Sequence, residues 1–105
     1  MTKVDAIAAL ADPSRRAIVE ALRAGALPVG KIADELPISR PAVSQHLRVL
    51  TDAGLLEVKA DGTRRLYAIS PEGVRAMRQY LDELWDDALA CFGKAAENLK
   101  GKDND

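Results

Sequence analysis

The segment Gly30–Gly54, GKIADELPISRPAVSQHLRVLTDAG, contains the residues that decide the fold. Its pattern predicts two short helices joined by a tight turn, and the second helix covers residues 39–53. Pro37 ends the first helix, because proline has no N–H to donate and disfavours a helical conformation in the residue before it. Ser39 is a natural N-cap for the second helix, and Gly54 is suited to the left-handed conformation that closes a helix.

The second helix is predicted to have one buried face and one outward face. Val43, Leu47 and Leu50 follow the i, i+4, i+7 spacing of a buried stripe. A step of 100° per residue turns the opposite face outward, and its polar side chains have lengths suited to base edges and phosphates in a major groove. This candidate reading face consists of Arg40, Pro41, Ser44, Gln45 and Arg48. An ordinary solvated surface has the same pattern, so the surrounding chain must decide between the two interpretations.

The composition fits one small domain. The chain has 105 residues, 48% of them hydrophobic, and we expect a single domain over residues 1–100 with a frayed tail at 101–105. No stretch resembles a signal peptide or a membrane span, which predicts neither export nor a membrane partner. The single cysteine, Cys91, rules out an internal disulfide and suits a reducing cytoplasm. Its position in an apolar stripe predicts a buried side chain.

Charge is distributed unevenly along the chain. The formal net charge is −1, which gives no overall signature of nucleic-acid binding. Residues 38–68 hold five basic and three acidic side chains, whereas residues 71–105 hold five basic and eight acidic ones. A basic middle segment is compatible with DNA binding at one face, although charge alone does not establish it.

Two more helices are predicted before the central segment. Residues 3–11 form a short, largely apolar helix, and residues 15–24 form a second one that Asp12 or Ser14 can cap. Leu27–Val29 then forms a brief extended link, which is able to act as a short edge strand.

The periodicity changes from helix to strand after the central segment. Residues 55–60 and 63–69 are β-like runs, and Asp61-Gly62 between them is a strong two-residue hairpin signal. Arg64 and Arg65 lie beside this turn, where they are placed to reach a phosphate backbone or a minor groove. Arginines also keep exposed strand edges soluble. The neighbouring helices favour the DNA interpretation.

The last helix is the longest, and its apolar stripe has no obvious cover. It begins at Ser70-Pro71-Glu72 and extends to about Lys100. A helix of roughly 28 residues is about 42 Å long, more than a domain of this size covers. An uncovered stripe of this length predicts the same helix of a second copy as its partner. The predicted interface, with help from the first helix, comprises Val4, Ile7, Leu81, Leu84, Trp85, Ala88 and Phe92.

The predicted order, α-α-(β)-α-α-β-β-α, is a mainly α fold with a small β-hairpin, the winged helix-turn-helix. Residues 39–70, SRPAVSQHLRVLTDAGLLEVKADGTRRLYAIS, resemble the ArsR family of bacterial transcriptional repressors. That family has a Ser-x-Pro-x-Val-Ser-x-His-Leu core followed by Gly-Leu-Leu and a Gly-x-x-x-x-Tyr wing. The resemblance implies a homodimer that binds double-stranded DNA at an inverted-repeat operator and represses transcription. By position, it implies base-reading roles for Arg40, Pro41, Ser44 and Gln45, and it places Arg64 and Arg65 on the wing.

The sequence departs from the metal-sensing members of that family. Pro28 and Gly30 stand where those members carry a Cys-x-Cys pair, and the only histidine is His46, which borders the apolar face. A zinc or arsenic site needs three or four soft ligands in one place. The sequence is therefore closest to the metal-independent branch, and we expect no metal and no cofactor. It leaves a small-molecule effector open.

Two other functional classes fit the sequence less well. An enzyme is not expected, because there is no supported Ser–His–carboxylate set, metal cluster or glycine-rich phosphate loop. A winged helix that contacts only proteins is the stronger competitor. Such a domain tends to have an apolar or acidic face on its second motif helix, whereas Arg40, Gln45 and Arg48 are basic or neutral polar residues.

Overall fold

The computed structural model describes the backbone of residues 3–103 and the side chains of residues 5–97. These residues form five helices and a small antiparallel sheet, which confirms the predicted winged helix-turn-helix fold. The elements are α1 (Lys3–Ala9), α2 (Pro13–Ala21), β1 (Leu27–Pro28), α3 (Val29–Asp34), α4 (Arg40–Asp52), β2 (Leu56–Asp61), β3 (Arg64–Ile69) and α5 (Pro71–Asp103).

The junction between α1 and α2 is held by reciprocal capping. Asp12 is the N-cap of α2, and its Oδ1 accepts hydrogen bonds from the backbone N–H groups of Ser14 at 2.7 Å and Arg15 at 3.2 Å. Arg15 and Arg16 reach back and donate to the carbonyl oxygens of Ala9 and Leu10, at 2.6 and 2.8 Å. These carbonyls lie at and just beyond the end of α1, where helical partners run out. Helix α2 therefore begins at Pro13, two residues before the predicted start.

The predicted tight turn joins α3 to α4. Helix α3 ends at Asp34, two residues earlier than the sequence pattern indicates. Ser39 is the N-cap of α4, as predicted, and its Oγ accepts a hydrogen bond from the Ala42 N–H at 3.3 Å. Pro41 lies in the first turn of α4, where a missing N–H costs no helical hydrogen bond.

A Schellman turn ends α4. Gly54 has the left-handed φ of 83° that the sequence predicts for this position. The Gly54 N–H donates to the Thr51 carbonyl, and the Leu55 N–H donates to the Leu50 carbonyl, both at 3.0 Å. This pair of hydrogen bonds satisfies the last carbonyls of the helix and turns the chain directly into β2.

The sheet has three strands in the order β1-β3-β2, so the predicted edge strand is confirmed. The loop between β2 and β3 is Gly62-Thr63, not the predicted Asp61-Gly62, because Asp61 pairs with Arg64. In the observed register Val58 lies opposite Tyr67, whereas the predicted turn would place it opposite Arg65. The observed register therefore brings apolar side chains together. Gly62 has a φ of 64° at the first loop position, as a type II′ turn requires.

The core lies where α4 packs against the other helices and the base of the wing. Val43, Leu47 and Leu50 of α4 are all fully buried, as predicted. The remaining buried apolar residues come from α1, from α2 and the residue after it, from α3, from the turn between α4 and β2, and from the start of β2: Ala6, Ala9, Ile18, Leu22, Ile32, Ala53, Leu55 and Leu56. This arrangement fixes the rotation of α4 about its own axis.

Helix α5 begins on the turn that ends α4. The Ser70 N–H donates to the Leu55 carbonyl at 2.8 Å, and the Ser70 Oγ accepts from the Gly73 N–H at 3.2 Å, which confirms Ser70 as the predicted cap. A Cβ on Gly73 would overlap the carbonyl group of Gly54. The first turn of α5 and the last turn of α4 are therefore in direct backbone contact.

Beyond its first turns, α5 leaves the body of the domain. Met77 packs against the core, but every described side chain from residue 81 to residue 97 is exposed. Cys91 is among them, so the prediction that it is buried is wrong for the single chain. The helix continues to Asp103, past the predicted end at Lys100, since Gly101 weakens a helix without forbidding it. None of the helices in the described part of the chain combines the length and apolar character needed to cross a membrane.

The contact between Gly73 and Gly54 yields a stability prediction. We expect Gly73→Ala to lower the free energy of unfolding by about 1–3 kcal/mol, because the added methyl group forces two backbones apart. Gly93→Ala is the matched control, since a Cβ there meets nothing within 4 Å. The control should raise stability by roughly 0.5–1 kcal/mol. Urea denaturation of both variants at one protein concentration measures the difference, and equal effects would contradict the packing described.

The Asp12 cap yields a pH dependence. Partial removal from water on its own raises the pKa of this carboxyl. The hydrogen bonds from the Arg15 and Ser14 N–H groups and the charge of Arg15 have the opposite effect, and together they outweigh the loss of water. The pKa of Asp12 therefore lies below its ordinary value of 3.8. A carboxyl whose pKa is lower in the folded state than in the unfolded state stabilises the fold at any pH above its ordinary pKa. This stabilisation is lost as the pH falls through the folded-state pKa. We expect wild type to be more stable than Asp12→Asn at neutral pH, with the advantage disappearing below pH 3.8. An advantage unchanged in acid would contradict this.

Candidate nucleic-acid interface

The outward face of α4 consists of polar side chains that the protein does not use internally. Ser44, Gln45 and Arg48 are all exposed, on the side of the helix opposite the fully buried stripe. None of the three side chains makes a hydrogen bond or ion pair within the part of the chain that the structure describes. Their donors and acceptors are therefore free to bind a ligand that lies along α4.

The two predicted contact residues at the start of α4 occupy different places. Pro41 is exposed in the first turn. Arg40 leans toward α3, and its guanidinium lies 3.8 Å from the position that a Cβ on Gly30 would occupy. Arg40 therefore lies at the border between the face of α4 and the neighbouring α3, rather than beside Gln45.

The two wing arginines differ in orientation and in pairing. Arg64 and Arg65 are consecutive in β3, so their side chains point to opposite faces of the sheet. Arg64 forms an ion pair with Asp61 across the turn, with an N–O distance of 3.0 Å. Arg65 lies opposite Ala60 and has no ion pair or hydrogen bond among the described side chains. Both are exposed, but only Arg65 carries an uncompensated charge.

A cleft between α3 and the wing contains a basic residue that the sequence reasoning missed. This α3–wing cleft has a volume of about 720 Å³, and Lys31 lines it together with Arg40, Arg64 and Arg65. Lys31 is separated from the wing arginines by more than thirty positions in the chain. The pairing of β1 with β3 brings the two regions together, and no local signal in the sequence predicts that pairing.

His46 borders the apolar face of α4 and is less exposed than Ser44, Gln45 and Arg48. It is only partly exposed, and its charge is among the influences that lower the pKa of Asp12. It therefore faces the α1–α2 junction rather than the outward face of α4.

The predicted interface stripe is exposed along α5. Leu81, Leu84, Trp85, Ala88 and Phe92 all face solvent in the single chain, and Trp85 and Phe92 are 66% and 73% exposed. Ile7 of α1 is partly buried, and the side chain of Val4 lies outside the described residues. At 100° per residue, the α5 residues fall on one side of the helix, away from Glu83 and Asp87. Exposed apolar surface of this extent is typical of a contact with another protein chain.

Comparison with known proteins links this arrangement to a family of regulators. Residues 10–59 match the family described as a helix-turn-helix domain. The HTH-type transcriptional regulator Rv2034 of Mycobacterium tuberculosis is 50% identical over 90 residues, which cover 86% of this chain and 84% of that protein.

Solved structures of transcriptional regulators are also similar to this chain. The ArsR family transcriptional regulator RHA00566 superposes with a TM-score of 0.68 at 32% identity, over 78% of this chain and 93% of that one. The homodimeric winged helix-turn-helix DNA-binding domain of Mb0332 from Mycobacterium bovis superposes with a TM-score of 0.65 at 28% identity, over 80% and 78% of the two chains. Within the described residues of the present chain, no group of three or more His, Cys, Asp or Glu side chains is arranged to hold a metal ion.

Proposed function

The chain belongs to the ArsR family of winged helix-turn-helix transcriptional regulators, and we propose that it is a homodimeric repressor that binds an inverted-repeat DNA operator. The observation that carries this proposal is the structure of α4. Its apolar stripe is fully buried, and its opposite face presents polar side chains without internal partners. A helix of this kind fits the major groove of B-DNA, whose base edges supply the missing hydrogen-bond partners.

Within α4, we assign base reading to the outward side chains. The Gln45 amide can make a paired hydrogen bond to adenine, and the Arg48 guanidinium can make one to guanine. Arg40 and Ser44, nearer the N-terminus of α4, contact a base edge or the adjoining phosphate, and Pro41 contributes an apolar contact there. The competing function, a winged helix that binds only protein, does not account for the exposed amide and guanidinium groups on this face.

On the wing, we assign phosphate contacts to Arg65 and, more weakly, to Arg64. Arg65 has no ion-pair partner among the described residues, so its whole positive charge is available to attract a DNA phosphate. Arg64 must share its charge with Asp61, from which it is 3.0 Å away. A phosphate contact positions the protein on the duplex without reading sequence.

The second copy is proposed to bind along the exposed apolar stripe of α5. Trp85 and Phe92 are anchors of the kind that dominate protein interfaces, and the single chain leaves both exposed. A twofold axis through this stripe would present two α4 helices to successive major grooves. Pairing along the stripe would also bring Cys91, at its edge, close to the partner.

Several further features belong to the same proposal. The protein acts by binding and not by catalysis, in the bacterial cytoplasm where the operator is located. We place it in the metal-independent branch of the family, since Pro28 and Gly30 stand where metal sensors carry cysteines.

The first prediction from the proposed function concerns base reading. Selection from a random DNA library should recover an inverted repeat whose half-site centres are about 10 bp apart, or a multiple of that distance. Gln45→Ala should weaken binding to this operator by about 1–3 kcal/mol per half-site and relax the preference at one base position. Gln79→Ala, the same substitution on α5, should leave affinity unchanged. Wild-type protein that retains no DNA from the library would overturn the proposed function.

The second prediction separates the two wing arginines. Arg65→Ala should weaken binding to operator and scrambled duplex alike, and it should lower the slope of log K against log salt by about 0.9 per half-site. Arg64→Ala should lower that slope less, because Asp61 already offsets its charge. Binding titrations at four salt concentrations measure both slopes. Equal slopes for the two variants and wild type would contradict the phosphate assignment.

The third prediction concerns the dimer. Trp85→Asp should raise the dimer dissociation constant by at least about 30-fold, since loss of an anchor residue costs 2 kcal/mol or more. The monomer should stay folded, because Trp85 is 66% exposed in the single chain. Ala90→Asp, which places the same charge on the opposite side of α5, is the matched control. Sedimentation equilibrium distinguishes the two, and equal dissociation constants would exclude this stripe as the interface.

A further inference from the structure

The α3–wing cleft is a concave surface at the edge of the proposed DNA-binding face. It lies between the start of α3, the first residue of α4 and the tip of β3, and its volume is about 720 Å³. Gly30 contributes no side chain to its wall, and Tyr67 adds an aromatic surface. The cleft is large enough for one or two phosphoryl groups together with part of the molecule that carries them.

The charge of the cleft is strongly unbalanced. Four basic residues line it, namely Lys31, Arg40, Arg64 and Arg65, and Asp34 is the acidic residue among the lining residues. Only Arg64 is paired, with Asp61. Lys31, Arg40 and Arg65 make no ion pair or hydrogen bond within the described part of the chain. A cleft lined by one sign of charge concentrates the field and raises the local concentration of the opposite ion.

The chemistry of these groups favours a phosphoryl ligand. Guanidinium groups match the oxygens of a phosphate in paired hydrogen bonds, and an ammonium group adds a point charge. Arg40 and Arg65 supply two guanidinium groups, and Lys31 supplies the ammonium. Since α3 and β3 each contribute one of these groups, the site exists only when the wing is folded against the helices.

We propose that the α3–wing cleft is a phosphoryl-binding site, with Lys31, Arg40 and Arg65 as its donors. Two sources have this chemistry: a backbone phosphate of bound DNA, and a soluble phosphorylated molecule. The first source rests on the proposed function and makes Lys31 an additional DNA contact. The second would occupy Arg40 and Arg65 and so compete directly with the operator, without any change of conformation.

The first arm of the test uses no DNA. Inorganic pyrophosphate is titrated into the full chain and followed by amide chemical shifts in wild type, Lys31→Ala and Lys94→Ala. Lys94 is exposed on α5 and gives the same change of charge outside the cleft. Saturable binding that weakens about tenfold in Lys31→Ala, but not in Lys94→Ala, supports the site. Displacement of bound DNA by pyrophosphate would identify a soluble ligand as a competitor.

The second arm measures DNA affinity at several salt concentrations. If the cleft holds a backbone phosphate, Lys31→Ala should lower the slope of log K against log salt by about 0.9 per half-site. Lys31→Arg keeps the positive charge and should retain the wild-type slope. Unchanged slopes in this arm, together with no Lys31-dependent pyrophosphate binding in the first, would overturn the proposed site. Wild-type protein that binds pyrophosphate in the cleft but recognises no DNA would instead overturn the proposed function and leave the site standing.

Discussion

Burial of Val43, Leu47 and Leu50 is the constraint on which the rest of the structure depends. All three side chains are fully buried, and each contributes on the order of 1.5–3 kcal/mol to the fold. A rotation of α4 by one residue would expose part of this stripe and push Arg48 toward the core without a partner. Burying an unpaired charge costs several kcal/mol more. The outward direction of the polar face is therefore a consequence of core packing, and this face needs no interaction of its own to hold it in place.

The features that sequence reasoning predicted correctly are those decided by a few neighbouring residues. Ser39 and Ser70 cap the helices that follow them, and Gly54 adopts its left-handed conformation, because each signal acts within three or four positions. The buried stripe of α4 was also predictable, since helical periodicity is itself local. Together these signals were sufficient for the order of the elements and for the composition of the outward face.

The features that were missed depend on pairings between distant parts of the chain. The turn register follows from placing Val58 opposite Tyr67, whereas the local signal of Asp61-Gly62 indicates a turn one residue earlier. The neighbourhood of Lys31 depends on β1 meeting β3. Cys91 follows an apolar pattern, yet it is exposed, because the helix that carries it projects beyond the body of the domain. With this helix included, the longest dimension of the structure is 73 Å. A periodic pattern identifies an apolar face but does not identify the chain that covers it.

The backbone contact between Gly73 and Gly54 makes α5 a lever. No flexible side chain separates α5 from the turn that ends α4, so the two helices meet at a stiff joint. From this joint to Phe92, the arm is about 29 Å long at 1.5 Å per residue. A tilt of roughly 5° at the joint would displace the far end by about 2.5 Å on that geometry. In a dimer, a small change in the angle at which two α5 helices cross would change the separation of the two α4 helices. The choice of operator would then depend on the angle of this joint, which sets the spacing of the half-sites, as much as on the side chains that touch the bases.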